Sequence, residues 1–402
     1  MIKILIFIST FFFFSQNVFS QVKILFDSKK AETASNADWI IDADAHNLDW
    51  NPTPQVCNST IYCTESNAQK IPTPAESAII SSTTETYWNG GLSYWALDCA
   101  KKGYTVETLP YTSSITFGSP TNDQDLSNYK VFVVCEPNIL FTAAEKTAIL
   151  SFVYAGGSLF IISDHTISDR NGDSYDSPQI WNDLFQTNST GNTNPFGFIF
   201  DFKDTSVTSL NLASLPLTDS IVHGPFGSFT KIKWSGGTTL TLNPTANPNV
   251  KGVFYSRTPA SGNNNVMVAY SRYGNGKVVA FGDSSPFDDG SGDPGDVLYN
   301  GYTGDVPTDN HRNLIMNSTI WLATNDNPCS INHWTGAVSI YWENQYNWSC
   351  GTIPGSNTVV YIDANKPYNP QVSSIAFCKT LFTVPTVTVK VNTGFKLNIV
   401  GN

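Results

Sequence analysis

The chain has 402 residues, of which 22 are Lys or Arg and 33 are Asp or Glu, giving a formal charge of −11. An acidic surface this poor in cations excludes nucleic acid and anionic membranes as partners. Charged residues make up only 14% and aromatics 13%, a balance that suits extracellular, β-rich or glycan-facing proteins.

The first element is a leader. Met1-Ile2-Lys3 opens onto an almost wholly apolar run from Ile4 to Phe14, and Val18 and Ser20 precede Gln21. A basic start, a short apolar core and a small-residue cleavage site predict a secretory signal peptide over 1–20, too short to span a bilayer. No other stretch approaches the roughly 18 apolar residues of a membrane span. The expectation is therefore a secreted or cell-surface protein whose mature chain has no transmembrane segment. Its 382 residues exceed what one core usually supports, so two domains are expected.

Val22 to Phe26 reads as a first strand ending at Asp27, followed by a polar, Pro-dotted loop from about Ala31 to Ser82. Leu92, Trp95, Ala96, Cys99 and Ala100 have helical spacing, closed by Lys101-Lys102-Gly103, and Tyr104 to Leu109 alternates like a strand. Tyr129 to Val134 is an apolar strand ending in Cys135-Glu136-Pro137-Asn138. Thr142 and Glu145 then form a capping-box pattern at the head of a helix that ends at Gly156-Gly157, and Ser158 to Ile162 is a further strand. Strand, helix, Gly-Gly and strand make a βαβ unit, and its continuously apolar strands imply a parallel sheet covered on both faces. After an irregular stretch, Val266 to Tyr270 and Lys277 to Phe281 read as strands and Asn310 to Thr324 as the last helix. The reading is an α/β, doubly wound, mostly parallel flavodoxin-like sheet over 21–326. From 327 to 402 the pattern of Trp334, Trp342, Trp348 and Pro354, with β alternation over Val359 to Ile362, Thr386 to Val391 and Leu397 to Val400, predicts a small all-β module.

Export permits disulfides. Cys57 with Cys63 and Cys350 with Cys378 are the expected pairs, Cys99 and Cys135 are expected as buried thiols, and no spacing suggests structural zinc.

In open parallel sheets ligands bind beyond the carboxyl ends of the strands. The predicted strands lead in turn into Asp27, into Glu136 and Asn138, into Asp164-His165, and into Asp283-Ser284 with Asp288-Asp289. Converging carboxylates raise one another's pKa or recruit a cation. Loop acids that cap helices and close turns are the alternative. His165 and His311 stand beside these acids as ligand or acid/base candidates. Asp169, Asn171, Asp173 and Asp176 alternate as calcium ligands do, without the bidentate Glu that would stand at Ile180. A divalent cation, calcium, is the expected cofactor. Ser284 lacks a Gly-x-Ser-x-Gly elbow and does not read as a nucleophile.

On the Tyr129 to Asn138 strand, the Ala144 to Gly157 helix with its Gly-Gly turn, and the Leu159 to His165 strand, the α/β half resembles the class I glutamine amidotransferase-like superfamily. The resemblance implies a nucleophile elbow after the strand that comes after Gly-Gly. That place reads Asp164-His165-Thr166, without cysteine, so thiol chemistry is not carried over. The resemblance also reaches exported bacterial proteins in which this fold is thought to bind or process sugars. The stretch carrying Trp334-Thr335-Gly336, Trp342, Asn347-Trp348-Ser349 and Pro354 is similar to β repeats of exported bacterial surface proteins, which implies a spacer or adhesion role.

These residues support three functional readings. The first is a module binding a glycan or cell-surface polymer in an acidic cleft, helped by Tyr87 and Trp88. The second is a metal-assisted hydrolase built on Asp27, Glu136, Asp164, His165 and Asp283. The third is a surface scaffold.

Overall fold

The computed structural model describes residues 21–41, 70–217, 219–292, 297–304, 310–324, 331–344, 347–349, 353–356 and 358–401. The leader, His46 and the cysteines at 57, 63, 329 and 350 lie outside the described residues. The expected pairing of Cys57 with Cys63 therefore lies outside them too. Cys99, Cys135 and Cys378 are buried thiols, so the expected pairing of Cys350 with Cys378 is not formed.

In chain order the α/β part holds β1 (Lys23–Asp27), α1 (Ser93–Lys101), β2 (Thr105–Leu109), β3 (Val131–Cys135), α2 (Ala143–Ala155), β4 (Ser158–Ile162) and α3 (Ser177–Gln186). Then come β5 (Phe198–Phe200), β6 (Thr205–Ser209), β7 (Asn211–Leu212), β8 (Ile232–Gly237), β9 (Leu240–Leu242), β10 (Lys251–Tyr255), β11 (Val266–Tyr273), β12 (Gly276–Phe281) and α4 (Asn310–Ala323).

The central sheet runs β2-β1-β3-β4-β12-β11-β10-β7. The first five strands are parallel, which is the flavodoxin-like half. From β12 onward the pairing is antiparallel, through the β11–β12 hairpin and then β10 and β7. Alternation along each parallel strand sorts the side chains onto two faces. Ile24, Phe26, Val131, Val133, Phe160 and Ile162 pack under α1 and α4. Leu25, Phe132, Val134, Leu159 and Ile161 pack under α2 and α3. Both faces are buried, which is why these strands read as unbroken apolar runs.

The capping box at α2 forms as expected: the Glu145 amide donates to the Thr142 hydroxyl, and the Thr142 amide donates to Glu145 Oε2 at 2.8 Å. Gly156, at φ +123, closes the helix where an L side chain would be strained. The stretch read as irregular holds α3, with its own box from Asp176 and Gln179, and β5 to β10.

The C-terminal module holds β13 (Ile331–His333), β14 (Val359–Ile362), β15 (Gln371–Val372), β16 (Ile375–Cys378), β17 (Thr380–Thr383), β18 (Lys390–Val391) and β19 (Lys396–Ile399). Every pairing between these strands is parallel. Val359 faces Thr380, Gln371 faces Lys390 and Ile375 faces Lys396. Partners thus stand 19 to 21 residues apart on three successive sides, so the chain winds in stacked rungs like a short solenoid. Inside lie Val360, Ile362, Val372, Ala376 and Cys378. Trp334, Trp342 and Trp348, all fully buried, fill the first rung. His333, Tyr361 and Phe382 stack in a ladder at 5.0 and 4.8 Å between ring centres.

Candidate functional site

Three strand ends bring their acids together. Glu136 comes directly after β3 at φ +48, a left-handed conformation that turns its carboxylate inward. Asp164 lies just beyond β4 and Asp283 just beyond β12. All three are essentially fully buried. β8 is laid across this edge so closely that a Cβ on Gly237 would stand 2.7 Å from the Asp283 Cβ. Its Ser235 amide donates to Asp283 Oδ2 at 2.7 Å, while the Ser285 amide donates to Oδ1 at 2.8 Å.

The cation among these acids is Arg170, which comes from the loop after β4. Its Nε donates to Glu136 Oε1, Nη1 to Asn36 Oδ1 at 2.8 Å, and Nη2 reaches Asp164 Oδ2 at 3.5 Å. Ser284 donates its hydroxyl to the other Glu136 oxygen at 2.8 Å. One guanidinium pairs with two of the three buried carboxyls, Glu136 and Asp164, and burial still raises the proton affinity of Asp164 and Asp283. Burial pushes Asp283 up to about 7, despite the two amides that favour its anion. Burial, then the charges of Glu136 and Asp283, push Asp164 well above the ordinary carboxylate range. The site opens to solvent at Arg170, His165 and Tyr299, whose phenol is raised by burial and influenced by Arg170, Asp164 and Asp283. His165 Nε2 stands 3.6 Å from Asp164 Oδ2.

Asp27 does not join this group. Its neighbours are Glu32, Lys30 and Glu145. Burial raises Asp27 to about 6 and, with the charge of Asp27, raises Glu32 further. Lys30 turns away to an ion pair with Glu145 Oε2 at 2.6 Å, which anchors the loop after β1 to the head of α2.

Other expected site residues stand apart from this group and are hydrogen-bonded within the fold. Asn138 is fully buried and ties Arg170, Ala31 and Glu136 backbone together. The His311 ring is held on both sides, Nδ1 against the Gly301 carbonyl at 2.7 Å and Nε2 accepting the Lys233 amide at 2.9 Å. Trp88 is buried with its indole donating to the Pro74 carbonyl at 2.9 Å, and the Tyr87 hydroxyl donates to Ala75. Neither forms an open platform.

The side-chain oxygens of the expected calcium loop accept backbone amides. Asp169 accepts the amides of Gly172, Asp173 and Ser174, and Asp173 accepts that of Tyr175. Asn171 accepts the Asp173 amide and donates to the Asn138 carbonyl. Asp176 takes those of Ile167 and Ser168 and caps α3. Asp288 accepts the Gly290 and Tyr299 amides. Asp289 receives the Tyr94 amide at 2.7 Å and so caps α1, which has no side-chain cap of its own. Among the described residues no group of three or more His, Cys, Asp or Glu is placed to hold a metal ion.

Sequence reasoning missed Arg170 as the organising cation, along with Glu32, Asn36 and Tyr299. The signal for Arg170 was an arginine inside a run of acids in a chain poor in cations.

Beside this edge lies a cleft of about 380 Å³ whose lining includes Asn182, Gln186, Phe202, Lys203 and Asn264. The Lys203 carbonyl accepts the Thr166 amide at 3.0 Å, one residue beyond His165. No helix among the described residues is long and apolar enough to cross a membrane.

No family model and no curated protein matches the chain. Among solved structures it is similar to the mmIFT52 N-terminal domain, at 13% identity and TM-score 0.40, over 76% of this chain and 98% of that one. It is also similar to the cytoplasmic protein STM1381 of Salmonella typhimurium LT2, at 13% identity and TM-score 0.36, over 75% and 97%. A ThuA-like protein from Parabacteroides merdae gives 13% identity and TM-score 0.33, over 76% and 90%.

Proposed function

We propose that this is an exported protein that binds a neutral carbohydrate at the carboxyl edge of its α/β sheet. The observation carrying this reading is the pair of buried carboxyls, Asp164 and Asp283, whose raised pKa favours protonation. A protonated carboxyl both donates and accepts, which matches a sugar hydroxyl. Arg170 and Tyr299 at the mouth supply donors, and the adjoining cleft supplies three amides, a lysine and Phe202, which is 62% exposed. Amide side chains beside an open aromatic face suit a polyhydroxylated ligand with apolar C–H surfaces.

The test is calorimetric titration of the full chain with a panel of neutral oligosaccharides, repeated with Asp164→Asn and Phe202→Ala. One saccharide class should bind, with each variant weakening it by about ten-fold or more, the worth of a buried hydrogen bond or a stacking face. No binding across the panel, or unchanged affinity in both variants, overturns the reading.

A hydrolase at the same edge is the second reading. It is favoured by Asp283, whose value of about 7 suits a general acid or base. Release of reducing ends from a bound oligosaccharide, abolished in Asp283→Asn, would establish it.

A further inference from the structure

The two ends of the rung stack are finished differently. At the first end Trp334 bridges Trp348 antiparallel and the Ser349 amide donates to the His333 carbonyl at 2.8 Å, so the chain folds back over β13. Trp334, Trp342 and Trp348 seal the core there and are fully buried. At the last end β17, β18 and β19 each pair with one neighbour only among the described residues, namely β14, β15 and β16. In a parallel ladder alternate residues turn their N–H and C=O to opposite neighbours, so half of these groups on the last rung face outward.

The core is open at the same end. Register places Val391 directly over Val372 and Ile399 directly over Cys378. Val372 and Cys378 are fully buried, whereas Val391 is 42% and Ile399 55% exposed. Inward positions that are sealed one rung below are thus left half in water. A repeat stack needs a polar cap over its terminal rung to remain soluble, and none covers this one among the described residues.

Charge is one-sided here too. No Asp or Glu follows Asp363, while Lys366, Lys379, Lys390 and Lys396 do, in a chain of formal charge −11. Lys390 and Lys396 are exposed on the last rung, stacked over Gln371 and Ile375. Lysines on an edge repel a second copy of that edge, because like charges directly opposite across a strand pair destabilise it. The same lysines favour an acidic strand, so they reject one partner and accept another.

We infer that this open end receives an extended acidic segment of a partner protein, paired along β19, with an acid beside Lys396 and an apolar side chain over Ile399. Backbone pairing supplies the affinity and these two positions supply the selection, as in strand addition generally. The surface belongs to the C-terminal module, so the inference does not depend on saccharide binding at the α/β edge.

The experiment is fluorescence anisotropy of a labelled peptide of alternating valine and threonine that carries two aspartates, titrated with the full chain. One control peptide has lysines in place of the aspartates, and another has a central proline, which removes a ladder donor. The acidic peptide should bind, with both controls at least about ten-fold weaker. Lys396→Glu, at an exposed position that does not endanger the fold, should weaken the acidic peptide by about ten-fold and strengthen the lysine peptide. Equal binding of the acidic and lysine peptides would overturn the charge selection, and equal binding of the proline peptide would overturn strand pairing. Acidic-peptide affinity unaltered by Lys396→Glu would overturn the location. Failure of every peptide to bind would overturn the acidic partner. Self-association of the peptide-free chain in sedimentation, dispersed by Ile399→Asp, would do the same and make the occupant a second copy.

Discussion

The α/β part and the C-terminal rungs solve the same problem with different materials. The rungs close their core with three tryptophans, three aliphatic residues, one alanine and one thiol, and among the described residues they bury no acid. The α/β part also has ample apolar core, yet at one sheet edge it buries Glu136, Asp164 and Asp283, and beside them Asp27 and Glu32. Burying a carboxyl is costly unless it is fully paired, and one Arg170 for three acids is not full pairing. The rungs demonstrate that this chain can build a core without such groups. The acids at the strand ends are therefore poorly explained by stability, and that supports assigning them to ligand chemistry.

The sharpest way to break the contrast is to remove an apolar keystone from the rungs. Trp348 lies 4.6 Å from Trp342 and 5.0 Å from Trp334, both edge-to-face, and donates its indole proton to the Trp342 carbonyl. Trp348→Ala should cost up to about 5 kcal/mol and unfold the rungs. Calorimetry and near-ultraviolet dichroism should show the transition of the α/β part unmoved. A common fall of both transitions would mean that the two cores are not independent.

The next effect has the opposite character, because here the wild-type residue is the burden. Asp283 rises from 3.8 to about 7 on folding. Below pH 3.8 both folded and unfolded chains hold this proton, and the group is neutral to stability. Between pH 3.8 and 7 the unfolded chain releases the proton and the folded chain keeps it, so stability falls as pH rises. The cumulative loss is about 4 kcal/mol for this group. Denaturant titrations at pH 4 and pH 7.5 should show Asp283→Asn losing less stability than wild type across that interval by roughly this amount. Parallel pH curves for the two proteins would remove the argument that Asp283 is held protonated.

Legibility in the sequence divides along the same line. The unit β3–α2–β4 was readable because both its faces are buried, which leaves continuous apolar strands, and because Thr142 and Glu145 mark the helix start. α3 and the strands from β5 to β10 were not. Thr205–Ser209 reads Thr-Ser-Val-Thr-Ser, a pattern that a polar loop shares, and its partner β8 is distant in sequence. In the rungs the β alternation was visible, but their parallel stacking was not. Val359-Val360-Tyr361-Ile362 and its partner Thr380-Leu381-Phe382-Thr383 share only shape and alternation. At the site, strand ends could be found from the topology of open sheets, which placed Glu136, Asp164 and Asp283 correctly together. Asp27 is diverted because the loop after β1 carries its own partners, Lys30 and Glu32. Asp169 to Asp176 shows why spacing alone is weak: alternate side-chain oxygens satisfy backbone amides in turns as readily as they would surround a cation.

The smallest effect separates acids that hold the fold from acids that burden it. Glu145 is buried like Asp283, but the Lys30 ammonium and the Thr142 amide and hydroxyl outweigh burial and hold its pKa below the ordinary value. Its stabilising contribution is therefore present above pH 4.5 and is lost as pH falls through its folded value, the reverse of Asp283. Thr142→Ala removes the hydroxyl that accepts the Glu145 amide and helps to lower the Glu145 pKa, and leaves the Thr142 amide and Lys30 on the carboxylate. It should cost about 1 kcal/mol at pH 5.5 and at pH 8, where Glu145 is ionised throughout. A cost that shrinks as pH falls through the folded value of Glu145 would mean that the cap acts mainly through the charge of Glu145, and the loop after β1 would then depend on Thr142 through Lys30. A cost that stays the same through that range leaves the ion pair and the cap as separate supports, and makes Glu145 a structural acid in the sense that Asp283 is not.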